Sequence, residues 1–475
     1  MRRGSPIAAA IVALLFGASN ASAKTFEVTR HNDPAPGKCK PNDCSLREAI
    51  RAANKRNGGD RVVLPDRGRY VLKQENEILF QDEDLALGGD LDVTDRLTLV
   101  HPGRGRATVD ANQVDRVLEV IAPTRVTKLK VTGGGNVSQA VRAESAPRTS
   151  TTGDGGGIES NAPLTLKRSV VAGNVAAAAG GIRVFVESSG PDSAPLRLIG
   201  SRVANNRTLE GPAGGISANG SAIVVKRSSI TGNRSANNSG GLTIFNGRLR
   251  MTDSTVASNR ARYDSAGIYL LGLGSQVRAV IRGSTISENV ALDVSGFPGT
   301  GIGLENAELV ITNSTVAGNR SPGAVGGAGI ATNAVPGSEV TMNSVTVVRN
   351  RVATGSGGGL LNESKAGTWN VVNSLIALNM VGGAVDDCAG TFASGGGNLL
   401  TSIPFDCEGF DTDVSGDFLR PTPKLGSLKR NGGPTRTVAL KRGSPAIGKA
   451  IKSEAPKRDQ RGVKRTDPDI GAYER

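Results

Sequence analysis

The chain has 475 residues, 64 of them Gly, with only 1 Trp, 4 Tyr and 10 Phe, and a formal charge of +14. A hydrophobic share of 37% excludes a disordered polymer, and glycine without a three-residue period excludes collagen. So few aromatics argue against several conventional cores of ~150 residues each, and favour many short strands with small residues at the turns.

Residues 1–23 read as a secretory signal peptide. Arg2 and Arg3 precede the apolar run Ile7 to Phe16, and Ala21-Ser22-Ala23 is a cleavage site, so the mature chain starts near Lys24. No later stretch is long and apolar enough to span a bilayer as a helix. The expectation is a secreted or cell-surface protein, with the periplasm as a third location. Four cysteines fit an oxidising compartment, and their spacing favours Cys39–Cys44 and Cys388–Cys407 among three connectivities. In the loop-entropy model these bridges contribute about 2 and 3 kcal/mol. A zinc site is the rival, but CxxC knuckles are missing.

Residues 24–59 are expected to form an N-terminal cap. Ser45-Leu46-Arg47-Glu48 is a capping box opening a helix of about twelve residues. Its apolar face is Leu46, Ala49, Ile50 and Ala53, and it ends at Asn57-Gly58-Gly59. A strand follows at Val62-Val63-Leu64. The helix should plug one end of the core.

Residues 60–386 are dominated by a repeat. A hexapeptide x-x-[VI]-x-x-N recurs and ends at Asn174, Asn206, Asn233, Asn259, Asn289, Asn319, Asn350 and Asn379. Between its copies runs a small-Gly-[IL] signal, as at Gly215-Ile216, Gly241-Leu242 and Gly267-Ile268. Two interleaved markers at one drifting period mean a solenoid. Alternating Val, Ile and Leu over three to six positions is strand patterning, which predicts three short strands and three turns per coil: an all-β, single-stranded parallel β-helix. Stacked asparagines should form a ladder of side-chain amides, each taking the left-handed turn conformation. The ladder is read as structural, and its Asn-x-Ser/Thr sequons as by-products of turn chemistry.

Residues 387–475 are expected to form a disulfide-tied, basic C-terminal cap. Residues 419–475 alone carry 15 Lys/Arg against 5 Asp/Glu. Lys429, Arg430, Lys441, Arg442, Lys457, Arg458, Lys464 and Arg465 are the candidates for binding an acidic polysaccharide or another surface polyanion. No module for reading a nucleic-acid sequence is present.

Cys44-Ser45-Leu46-Arg47-Glu48-Ala49-Ile50 resembles the CSLREA motif of bacterial surface β-helix proteins, and Gly89-Asp90-Leu91-Asp92-Val93 resembles a second stretch of that family. The segments Asn431-Gly432-Gly433-Pro434-Thr435, Gly443-Ser444-Pro445-Ala446-Ile447 and Asp469-Ile470-Gly471-Ala472-Tyr473-Glu474 resemble the choice-of-anchor Q region. The middle is similar to right-handed, pectin-lyase-like β-helices and, more weakly, to polymorphic outer-membrane adhesins. The resemblance implies a right-handed solenoid on a secreted or surface-associated protein. Gly448 and Arg465-Thr466 depart from the family pattern.

For catalysis the sequence offers little, and no catalytic residue is named. His31 and His101 sit in turn contexts, and Trp369 reads as a packed strand residue. The densest acidic stretch is Asp82, Glu83 and Asp84, then Asp90 and Asp92; its oxygen donors suit Ca²⁺ but lack a loop signature. No cofactor is otherwise expected. No group of carboxylates is seen to repeat at the coil spacing. The leading reading is a non-catalytic adhesion or polymer-binding protein, with a polysaccharide lyase acting on an acidic glycan as the first alternative and an inert spacer as the second.

Overall fold

Val171, Val203, Ile230, Val256, Ile286, Val316, Val347 and Ile376 occupy the apolar position of the repeated hexapeptide, and all are fully buried. Each is the centre of a three-residue strand, and parallel in-register pairing stacks them one coil upon the next. Burying one such side chain contributes about 1.5–3 kcal/mol, so the stack forms a continuous core. The computed structural model describes residues 22–74, 86–135, 155–185, 195–293, 299–363, 367–403, 406–410 and 416–475. Residues 1–21, which hold nearly all of the expected signal peptide, lie outside it.

The coil from residue 216 shows the pattern. Ile216–Asn219 belongs to sheet I, Ala222–Lys226 to sheet II, Ser229–Thr231 to sheet III and Arg234–Ser235 to sheet IV. The four sheets hold 12, 13, 13 and 9 strands. Sheet IV departs from the three strands expected, because two-residue strands are too short to leave a periodic signal.

The hexapeptide asparagines line the corner between sheets III and IV and are fully buried. From Asn174 to Asn350, each side-chain Nδ2 donates to Oδ1 of the next asparagine at 2.9–3.0 Å. Each backbone N–H donates to the same oxygen at 3.0–3.1 Å. The second Nδ2 proton of Asn206 through Asn350 reaches a carbonyl of the preceding coil at 3.0–3.2 Å. At the end, Asn379 hands both bonds to the Asp387 carboxylate. Every polar atom of the amide is used, as burial demands.

The left-handed residue is not the asparagine, as expected, but its predecessor. Gly173, Asn205, Gly232, Ser258, Glu288, Gly318, Arg349 and Leu378 have φ of 54–72°. That bend turns the chain so the following asparagine points inward, where its amide serves the stack rather than its own turn. A second ladder was not foreseen: the hydroxyls of Ser201, Ser228, Ser254, Ser284 and Ser314 accept the backbone N–H of the serine one coil earlier at 3.0–3.2 Å.

The glycine marker fits the asparagine ladder. A Cβ on Gly241 would lie 2.4 Å from the Gly267 carbonyl oxygen and 3.0 Å from Asn259 Nδ2. On Gly267 it would meet the Gly301 oxygen at 2.3 Å and Asn289 Nδ2 at 3.0 Å. The two repeat signals therefore encode one contact.

At the front, helix α1 (Leu46–Asn54) has Ser45 as N-cap with a complete capping box. It is nine residues long, shorter than expected, and its buried Leu46, Ala49, Ile50 and Ala53 join the main core. Arg47 is buried too. It pairs with Asp33 at 3.0 Å and donates to the carbonyls of Gly88, Gly89 and Asp90 at 2.8–2.9 Å. The two N-terminal motifs thus meet through one guanidinium.

At the back, Trp369, Phe392 and Phe410 pack edge-to-face and tilted, in the same core cluster as the disulfide-bonded Cys388 and Cys407; Cys39 bonds Cys44 in front. The final residues do not cap this end, as the sequence led us to expect. They run back along the flank of sheet III, where Leu425, Val438, Leu440, Ala446 and Ile470 cover Ala317, Val348, Leu375 and Ala377. Gln460 accepts from the Thr315 hydroxyl at 2.6 Å and donates to Thr285 Oγ1 at 3.0 Å. An outward threonine row on sheet III gave these residues hydroxyls to bind.

Asn259→Ala removes the acceptor for two buried donors and should cost about 2–5 kcal/mol in a urea titration. Gly267→Ala should cost a similar amount, because its Cβ meets backbone that cannot yield. Melting at wild-type urea concentrations would refute both.

Candidate functional site

Three consecutive strands of sheet I place an acidic residue at their centre: Asp92 in Leu91–Val93, Glu119 in Leu118–Val120 and Glu159 in Ile158–Ser160. Arg183 takes the position in Ile182–Phe185. In-register pairing stacks the four in order. Carboxylates therefore do repeat at coil spacing, contrary to the sequence reading. An irregular interval hid them, since 40 residues separate Glu119 from Glu159 and 27 separate Asp92 from Glu119. The available signal was an acid at the centre of a short strand, flanked by Leu and Val at Asp92 and Glu119 and by Ile and Ser at Glu159.

Arg116 enters from the segment before Leu118 and binds three carboxylates. Its Nε donates to Asp90, its Nη2 to Glu119 Oε2 at 3.1 Å and its Nη1 to Glu159 Oε2 at 2.8 Å. Arg183 Nη1 holds the other Glu159 oxygen at 2.9 Å. Asp92 Oδ2 accepts the Ala86 N–H at 2.6 Å. Asp90, Arg116, Glu119 and Glu159 are all less than 8% exposed. Burial outweighs Arg116 and pushes the Asp90 carboxyl up to about 8, with Asp115 and Glu119 adding repulsion.

Of the five residues considered for Ca²⁺, Asp82, Glu83 and Asp84 lie outside the described residues. Asp90 and Asp92 come together with Glu119, and one oxygen of each lies within 4.8 Å of the others. These hard oxygen donors are of the type Ca²⁺ takes. Arg116 already supplies a cation to two of them, so a metal would compete with its guanidinium. The arrangement as it stands is a buried row of four carboxyls held by two arginines, Arg116 and Arg183.

The other sequence candidates sit apart from this row. His101 is buried, with Nδ1 2.9 Å from the Leu64 carbonyl oxygen. His31 lies edge-on to Tyr70 at 4.7 Å. Trp369 is a core residue. Lys429, Arg430, Lys441, Arg442, Lys457, Arg458 and Lys464 are exposed on the flanking C-terminal region. Arg465 is a correction. It is buried, pairs with Glu474 at 3.0 Å and donates to the carbonyls of Asp469 and Gly471. It folds the last turn and offers no charge to a ligand.

A family model described as "Right handed beta helix region" matches residues 157–401. No curated protein matches the chain. A solved structure titled "Crystal structure of pectate lyase Pel9A" is similar at 14% identity with a TM-score of 0.45, covering 96% of this chain and 98% of that chain.

Arg116→Met leaves Asp90, Glu119 and Glu159 without their shared counter-ion and should cost about 3–5 kcal/mol. The sign follows from Asp90. With its folded-state pKa raised to about 8, above the unfolded value, the fold binds an extra proton, so stability falls as pH rises from about 4 to about 8. The Arg116→Met deficit should therefore be larger at pH 8 than at pH 5 in paired denaturant titrations. A deficit independent of pH would contradict the network.

Proposed function

The chain belongs to the right-handed β-helix family, and on that premise we propose that it is an exported, non-catalytic surface or extracellular protein that binds acidic polymers. The observation that carries this reading is the distribution of charge. The acidic row is buried and held by Arg116 and Arg183, whereas the surplus of the C-terminal region is positive and exposed at seven of its eight candidate positions. A rigid solenoid flanked by cations can hold a long polyanion at many weak contacts.

Export is supported by the N-terminal signal pattern and by two disulfides. Among the described residues no helix is long and apolar enough to cross a membrane. The resemblance of both end motifs to CSLREA and choice-of-anchor Q proteins supports a bacterial surface protein. Both motifs are spent on structure here: Arg47 and Glu48 tie down the front, and Glu474 holds the buried Arg465 on the flank.

A polysaccharide lyase is the second reading, favoured by one observation: carboxylates and arginines do gather on adjacent coils of sheet I. The two readings part in one experiment. The mature protein should be retained on heparin at low salt and elute steeply as salt rises, with Lys441→Glu/Arg442→Glu eluting earlier. The same protein should give a flat ultraviolet trace for unsaturated uronate across a panel of acidic polysaccharides, with Ca²⁺ or chelator. Growth of that absorbance, abolished by Glu119→Gln, would replace the binding reading with the lyase.

A further inference from the structure

Sheet IV is narrow, and among the described residues five of the eight in its outward row are arginines, with Val175 and Met380 at the two ends. Arg207, Arg234 and Arg260 pair in register on three successive coils. Val290 takes the position on the next, and Arg320 and Arg351 on the two after that. All five arginines are exposed. None of them makes an ion pair among the described residues. Each directly follows a ladder asparagine, so its backbone is fixed one residue from the amide stack. At a coil spacing of about 4.8 Å, the row runs straight along the solenoid for about 24 Å.

Such a row has a cost. Like charges directly opposite on a ladder destabilise it. The outer face of sheet II mixes the two signs: Arg248, Arg278, Glu308 and Glu339 stack in one row, and Arg278 pairs with Glu308 at 3.3 Å. Mixed signs would serve solubility equally well. No Asp or Glu stands in the sheet IV row, and the choice of Arg over Lys supplies flat donor forks that match carboxylate or sulfate. Among the described residues these guanidiniums make no hydrogen bond or ion pair, so their charge faces an external anion.

The spacing selects the anion. Duplex DNA winds and carries a charge about every 1.7 Å of axis, far denser than this row. Single-stranded nucleic acid is usually held by aromatic stacking, and the row contains no aromatic residue. An extended chain of linked uronate or sulfated sugars presents charged groups along a straight line at intervals of about one sugar, comparable with the coil rise. We propose that sheet IV binds an extended acidic polysaccharide parallel to the solenoid axis, with anionic groups set against Arg207, Arg234, Arg260, Arg320 and Arg351. This rests on the polymer-binding reading above and assigns it a face. The basic C-terminal region adjoins that face: Arg349, two residues before Arg351, donates to the Gly426 carbonyl at 2.8 Å.

The test is titration of labelled polygalacturonate over a range of salt. The variants are Arg234→Glu/Arg260→Glu and a charge-matched control on sheet II, Arg197→Glu/Arg250→Glu, all of them exposed positions. The stripe variant should bind at least tenfold more weakly at low salt. Its slope of log affinity against log salt should be shallower by about 2, while the control changes less than threefold. Circular dichroism checks the fold, and Arg234→Gln/Arg260→Gln, which adds no new charge, should reproduce the loss at smaller size. Equal losses in stripe and control, or none in the stripe, would overturn the assignment. If only Lys441→Glu/Arg442→Glu loses binding, the polymer-binding reading stands and the stripe does not. If the wild type binds no polyanion, the reading itself fails. Tighter binding of a single-stranded oligonucleotide than of polygalacturonate would overturn the saccharide as occupant.

Discussion

A buried amide must have every donor and acceptor met, and in this protein only the neighbouring coil can meet them. That constraint organises the structure. Asn206 Oδ1 accepts two bonds from Asn174, and Asn206 itself gives two to Asn233. A coil that slipped by one residue would leave these groups unpaired in an apolar core, at about 1–3 kcal/mol each. The ladder thus sets register, and register sets everything stacked outside it. Its two ends are closed differently. The Gly134 N–H caps the first asparagine and the Asp387 carboxylate takes the last. Asp387 also accepts from Thr401 and Ser402, which binds the ladder to the disulfide-tied end.

With register fixed, each outward position becomes a row, and a row can concentrate one chemistry. Sheet I concentrates carboxylates at its first coils and answers them internally with Arg116 and Arg183. Sheet III concentrates threonines, and the C-terminal region docks on them through Gln460, Arg436 and Ala472. Sheet IV concentrates arginines and leaves them in solvent. The first row is buried, and the second is covered by the C-terminal region. The third is the one that faces outward unanswered, which is why the functional reading centres on polyanions.

The solenoid was legible because its core signals are frequent and local: [VI] at the strand centre, Asn at the corner, Gly where the next coil's carbonyl leaves no room for a Cβ. The paired disulfides were legible from spacing. Sheet IV was not, because two residues carry no period, although its arginines stand beside the very asparagines that mark the repeat. Nor was the left-handed position, which accepts Gly, Asn, Ser, Glu, Arg and Leu alike and so leaves no compositional mark. The acidic row of Asp92, Glu119 and Glu159 escaped because only pairing reveals that intervals of unequal length land on one line. Arg465 was read as surface charge because composition cannot tell a cation held by Glu474 and two carbonyls from one left in water.

The central claim is that the amide ladder couples the coils into one unit. Native-state hydrogen exchange at the backbone amides of Asn206, Asn233, Asn259, Asn289, Asn319 and Asn350 tests it most directly. Each of these N–H groups donates to the next asparagine's side chain. The account predicts that all six exchange together, with the free energy of global unfolding. Graded protection, with outer coils opening independently of inner ones, would contradict it.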